Sequence, residues 1–129
     1  YWHGLSFDNN KIQLPNGLSL HYNNLRFEGG TLTYDARNPE TTWGGRLAEN
    51  VVQALSRIVV SDAMLSIQKD PELDVDVVHT IHDENVIIGN AINPDATMDK
   101  LIEHMCLPPV WAPDLPLDAE GGYDRCYSK

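Results

Sequence analysis

A chain of 129 residues with 42% apolar content falls in the size range of one domain and can bury a core of its own. Nine Lys and Arg against nineteen Asp and Glu leave a formal net charge of -10, which repels phosphate backbones over the surface as a whole and argues against nucleic-acid binding on composition alone. Cys106 and Cys126 form no CxxC pair, which removes a zinc knuckle or dense disulfide framework, and with no apolar run near the ~20 residues of a membrane span and no signal-peptide pattern, a soluble cytoplasmic protein is expected.

The chain opens at Tyr1 rather than Met, which we read as a processed product or a fragment, natural or cloned, of something longer. Lys11 to Tyr22 holds two short extended runs around Pro15-Asn16-Gly17, where Asn and Gly tolerate the positive φ of a tight turn, and reads as a β-hairpin. Thr31 to Arg37 alternates with period two after Gly29-Gly30 and gives a third strand. Pro39 and Gly44-Gly45 then punctuate a loop.

From Arg46 to about Gln68 no Gly or Pro interrupts the chain. Leu47, Val51, Leu55, Ile58 and Leu65 recur at helical spacing, widened by Val52, Val59 and Ala63, so a long, mostly buried helix is expected. Its opposite edge carries Arg46, Asn50, Gln53 and Arg57 at spacings of four, three and four, a single row of hydrogen-bond donors. The plain reading of that row is an ordinary solvated face.

Asp74 to Gly89 contains two β-branched runs flanking His82-Asp83-Glu84-Asn85, a strand, a turn with the acids at its tip, and a second strand. Asp95 to Cys106 is helical, with Met98, Leu101, Ile102 and Met105 on one side, and Pro108-Pro109 stops it. The tail reads as a last hairpin turning at Gly121-Gly122. Together these elements predict an α+β fold over 1–129, an antiparallel sheet with one long and one shorter helix packed on it.

Asp83 and Glu84, at a hairpin tip gripped by apolar strands, are the candidate metal ligands, since paired carboxylates on a rigid mount are what Mg²⁺ accepts at short distance. Such a pair also occurs in plain turns, where Asp and Asn satisfy their own backbone. His3, His21, His79 and His104 show no paired ligand spacing for zinc, and Ser6, Ser19 and Ser56 lack nucleophile-elbow glycines. Trp2, Trp43 and Trp111 read as core or interface anchors.

The whole string Val77-Val-His-Thr-Ile-His82-Asp83-Glu84-Asn-Val-Ile resembles motif C of family A DNA polymerases. Leu14-Pro-Asn-Gly-Leu-Ser-Leu-His-Tyr resembles the LPSGR-L-Y hairpin of that family's phage branch, and Trp43-Gly-Gly-Arg-Leu-Ala-Glu-Asn-Val-Val-Gln-Ala-Leu-Ser-Arg its following helix. Met105-Cys-x-x-Pro-x-Trp111-Ala-x-x-Leu-Pro-Leu-x-x-Glu120-Gly resembles its tail, so four segments in the family's order cover most of the chain. The resemblance implies a C-terminal piece of the palm, in which Asp83 binds catalytic Mg²⁺, Glu84 assists and His82 sits near the primer terminus. It also gives the row of Arg46, Asn50, Gln53 and Arg57 a purpose, contact with the template-primer duplex.

The implied reaction is in-line attack of a primer 3′-hydroxyl on the α-phosphate of a dNTP, supported by two metal ions ~4 Å apart. That reaction needs a second aspartate on motif A and the basic fingers helix, motif B, and neither string occurs in these 129 residues. The resemblance therefore implies a chain inactive alone and completed by a partner chain carrying the fingers and motif A. It also implies a phage-encoded protein working in the host cytoplasm. Apolar surface left by missing neighbours would favour self-association or a partner. The competing reading is a non-catalytic, palm-derived binding or regulatory module, supported by the acidic charge and the absent motifs.

Overall fold

A computed structural model describes residues 4–8, 10–90 and 92–127. Tyr1, Trp2 and His3 lie outside the described residues. The chain divides into two compact units, Tyr1–Ile58 and Val59–Lys129.

The first unit holds two three-stranded antiparallel sheets. β1 (Ser6–Asp8), β2 (Lys11–Gln13) and β3 (Ser19–His21) form one, with Ile12 opposite both Phe7 and Leu20. The expected turn between β2 and β3 is closed by Gly17 N–H to Leu14 O and by Asn16, whose side-chain oxygen accepts from Leu18 N–H at 3.1 Å. Gly17 sits at φ +86°, the left-handed conformation for which a residue without Cβ is suited. β4 (Arg26–Glu28), β5 (Thr31–Asp35) and β6 (Pro39–Thr42) form the other sheet, so Pro39 opens an edge strand instead of marking a loop. Leu5, Ile12, Leu14, Tyr22, Val51 and Ile58 are the buried apolar side chains of this unit.

The long helix α1 runs Gly44–Lys69, so Gly44-Gly45 belong to its first turn and not to the preceding loop. Trp43 lies back over that turn. A Cβ at Gly45 would overlap the indole ring where it lies, so the glycine lets Trp43 rest on the turn, although the ring itself is 65% exposed and is not a core anchor. Within α1 the buried positions are Val51, Ile58, Ala63 and Ile67. Leu65 and Val52 are exposed, so the helix is less buried than its apolar pattern implies. Helical spacing puts Val51, Ile58 and Leu65 on one side of the helix and Ala63 and Ile67 on nearly the opposite side, so the buried side changes along α1 and Leu65 stands on the side that is buried only in the first half.

In the second unit β7 (Val75–Ile81) and β8 (Glu84–Gly89) form the expected hairpin as a separate two-stranded antiparallel sheet. The ladder runs Val75↔Gly89, Asp76↔Ile88 and Val77↔Ile87, shifts by one residue, and resumes as His79↔Val86, Thr80↔Asn85 and Ile81↔Glu84. Val78 is the inserted residue of a β-bulge. Val75, Val77 and Thr80 are half-buried while Val78 and His79 are both exposed, so the alternation changes phase at the bulge. α2 (Pro94–Met105) has Asn93 as its N-cap, accepting from Ala96 N–H at 3.3 Å, and Pro94 in its first turn, where a missing N–H costs nothing.

The tail does not form the expected hairpin: no residue between Leu115 and Tyr127 belongs to a strand. It lies along α2 instead. Tyr123 Oη donates to Asp95 Oδ1 at 2.8 Å, and Gly121 approaches Met98 so closely that a Cβ would overlap its sulfur. Gly121 stands close against a helix rather than in a chain reversal, whereas Gly122 faces open space. The α+β class inferred from the sequence is the observed one, with the strands divided among three small antiparallel sheets.

Candidate functional site

The hairpin turn contains two residues, His82 and Asp83, between the paired Ile81 and Glu84. His82 has φ +52°, a left-handed backbone conformation that glycine usually takes in such tight turns. A side chain held in that region is strained by local sterics and persists when its surroundings determine it. Asp83 is exposed at the tip. Glu84 and Asn85 lie in β8 and not in the turn, because the two-residue connection closes the ladder directly at Ile81↔Glu84. Glu84 is half-buried, and its Oε1 accepts from Tyr127 Oη at 3.2 Å. Asn85 turns to the other face, where its amide nitrogen lies 3.1 Å from Met105 Sδ. The Asn85 side-chain oxygen and the Trp111 indole nitrogen are buried without a hydrogen-bond partner.

The base of the hairpin is tied to the end of α1. Gln68 Oε1 accepts from Val77 N–H at 3.1 Å, and its amide nitrogen donates to Asp76 Oδ1 at 3.2 Å. Nothing in the sequence marked Gln68, which closes an amphipathic pattern as an ordinary polar residue. A second tie joins α1, the loop after it and α2: His104 lies between Ser66 Oγ and Asp70 Oδ2. Lys100 pairs with Glu72 beside it.

The donor row lies in the first unit. Arg46, Gln53 and Arg57 are exposed, whereas Asn50 is half-buried and donates to Tyr22 Oη at 2.9 Å. Gln53 donates to Glu49 at 3.1 Å. Asn50 and Gln53 line an open cleft of about 480 Å³ together with Leu20, His21, Tyr22, Tyr34 and Ala54. The Tyr22 and Tyr34 rings meet edge to face at 5.3 Å, and Tyr34 Oη donates to Glu40 at 2.7 Å, which raises the phenol above its ordinary ionisation range. Residues missed by the reading of the helix alone are thus His21, Tyr22 and Tyr34. The hairpin string ending in His21-Tyr22 carried two of them, and Tyr34 had only its strand.

Among the described residues no group of three or more His, Cys, Asp or Glu is arranged to hold a metal ion. Asp83 and Glu84 offer adjacent hard carboxylate oxygens, part of a Mg²⁺ shell and not the whole of one. Cys106 and Cys126 are free thiols. No helix among the described residues is long and apolar enough to cross a membrane.

Comparison with known proteins finds similarity to a stretch of a phage DNA polymerase. That relative is the DNA polymerase of Bacillus phage SP02, 30% identical over 143 aligned residues that include 98% of this chain. The chain spans 21% of the relative's length. No protein-family model matches the chain, and no solved structure does.

Proposed function

We propose that this chain is the motif C palm segment of a phage-type family A DNA polymerase, with Asp83 and Glu84 as its metal-holding carboxylates. The observation that carries the reading is the hairpin apex. Asp83 stands exposed on a two-residue turn, with His82 beside it in a strained backbone conformation and β-branched strands beneath. The similarity to a phage DNA polymerase along 98% of the chain supports the same reading.

In this reading Mg²⁺, once bound, supplies charge neutralisation on the transferring phosphoryl group and lowers the energy of the attacking 3′-oxygen. Asp83 supplies hard oxygens on a mount that packing does not use. Glu84, held by Tyr127, adds a second carboxylate from the adjacent strand position. His82 borders the primer terminus. Primer-template DNA lies along Arg46, Asn50, Gln53 and Arg57, where amide and guanidinium donors suit acceptors on base edges and phosphates. The remaining aspartate and the basic residues that hold the dNTP come from polypeptide bearing motifs A and B, which also offsets a net charge of -10.

The test is nucleotide incorporation by this chain combined with a polypeptide carrying motifs A and B. Asp83→Ala should lower the rate at least ~100-fold, roughly 2.7 kcal/mol of transition-state stabilisation, while primer-template affinity changes far less. A combination that keeps full activity with Ala at 83 would make the hairpin a relic and the chain a non-catalytic module.

A further inference from the structure

We infer that Gln68 is the positioning residue of the hairpin: it anchors β7 to α1 at the residue before the bulge, so that the direction of the His82-Asp83 tip is set by the helix. Just below the first ladder pair, Asp74 O accepts from Asn90 N–H at 3.3 Å. In an antiparallel ladder that spacing turns the main-chain groups of Val75 and Val77 away from β8, toward an edge that has no further strand among the described residues. The Gln68 amide fills part of that edge. Its oxygen takes the Val77 N–H and its nitrogen meets the Asp76 carboxylate, as a neighbouring strand's peptide group would meet a donor and an acceptor.

The anchor stands immediately before the bulge, and that placement gives it leverage over the tip. Val78 enters the ladder unpaired, and a bulge bends its strand and increases the local twist. Everything beyond, including the tip, takes its direction from the bend and from the segment below it. A two-stranded hairpin is marginal by itself, so an anchor on the short segment Val75–Val77 decides whether the tip is held or rocks. Gln68 is the side chain that ties this segment to the last turn of α1.

The functional meaning of this inference rests on the role proposed for Asp83, and the test separates the two. In this chain, amide exchange at Val77 and microsecond-to-millisecond relaxation dispersion at His82 and Asp83 would be measured by NMR. Gln68→Ala should speed Val77 exchange by at least about tenfold and introduce dispersion at the tip that the native chain lacks. Gln68→Glu should do the same at neutral pH, because two carboxylates then oppose each other at Asp76. Combining Gln68→Glu with Asp76→Asn reverses the polarity of that contact and should restore both readings, which guards against a variant that merely unfolds. A quiet tip in Gln68→Ala despite faster Val77 exchange would overturn the inference, as would failure of the double variant to restore what Gln68→Glu loses. None of these readings uses a metal, so an Asp83 amide indifferent to added Mn²⁺ in the native chain would count against the metal site alone.

Discussion

His104 Nε2 stands 2.9 Å from Asp70 Oδ2 while its Nδ1 stands 2.7 Å from Ser66 Oγ, so one imidazole joins the end of α1, the loop after it and α2. The arrangement is satisfiable in either charge state of the ring. With a neutral ring, Nε2–H donates to Asp70 and Nδ1 accepts from the Ser66 hydroxyl; with a charged ring, both nitrogens donate.

Asp70 should therefore impose an acid limit on stability. The hydrogen bond from His104, and after it the one from Glu72 N–H, hold its carboxyl below the ordinary 3.8, and nearby Lys100 acts in the same direction. A depressed folded value means stabilisation that is fully present above the unfolded value and is lost as pH falls through the folded one. Urea midpoints measured from pH 7 down to pH 2 should show Asp70→Asn less stable than the native chain at neutral pH, with the gap closing below about pH 4. A gap that persists unchanged at pH 2 would place the effect elsewhere.

Ile67, 1% exposed, is the largest fully buried side chain of the second unit. Its truncation to Ala removes three carbons from a packed site, and denaturant unfolding should show a loss of about 2–5 kcal/mol. Leu65→Ala, two residues earlier on the exposed side of the same helix, should change stability by less than about 0.5 kcal/mol.

At the turn, His82→Val places a β-branched side chain at φ +52° and should destabilise the hairpin by roughly 1–3 kcal/mol. His82→Gly relieves the backbone and should leave stability near the native value, its gain offset by the freer unfolded chain. Asp83→Ala, at an exposed position, should stay within ~0.5 kcal/mol. Urea titrations of the three variants separate a backbone cost at 82 from a chemical role at 83.

Tyr22 is buried and receives the Asn50 amide at 2.9 Å. Tyr22→Phe keeps the ring and its edge-to-face contact with Tyr34 but leaves a half-buried donor unpaired, so a loss of about 1 kcal/mol in unfolding free energy is expected. A neutral result would show that Asn50 finds water or another acceptor.

The sequence made the long periodic elements legible because period and punctuation agree there. α1, α2, the β2–β3 turn and the strand pair around His82-Asp83 all stand within a residue or two of their expected bounds. What was not legible depended on partners distant in sequence. β1, β4 and β6 are strands of three or four residues that exist through pairing, and letters so few carry no period. Val77-Val78 are two similar β-branched residues, and nothing in their chemistry says which one leaves the ladder. The glycines at 121 and 122 look like a turn, yet the course of the tail is decided by contacts with α2, Gly121 against Met98 and Tyr123 on Asp95. At the candidate site the acids and the donor row could be named from spacing, while the tyrosines beside Asn50 and the Gln68 anchor required the fold.

The bulge at Val78 has a consequence for how this segment can change in length. Residues on both sides of it keep their partners on β8, so deleting Val78 would leave every cross-strand pair of the hairpin intact and would appear, in an alignment, as a harmless single gap. The strand would nonetheless lose the kink that the extra residue produces, and Asp83, five positions further on, would be carried to a different place with no change in its own chemistry. At this hairpin the count of residues between Val77 and the turn constrains the tip as much as their identity does.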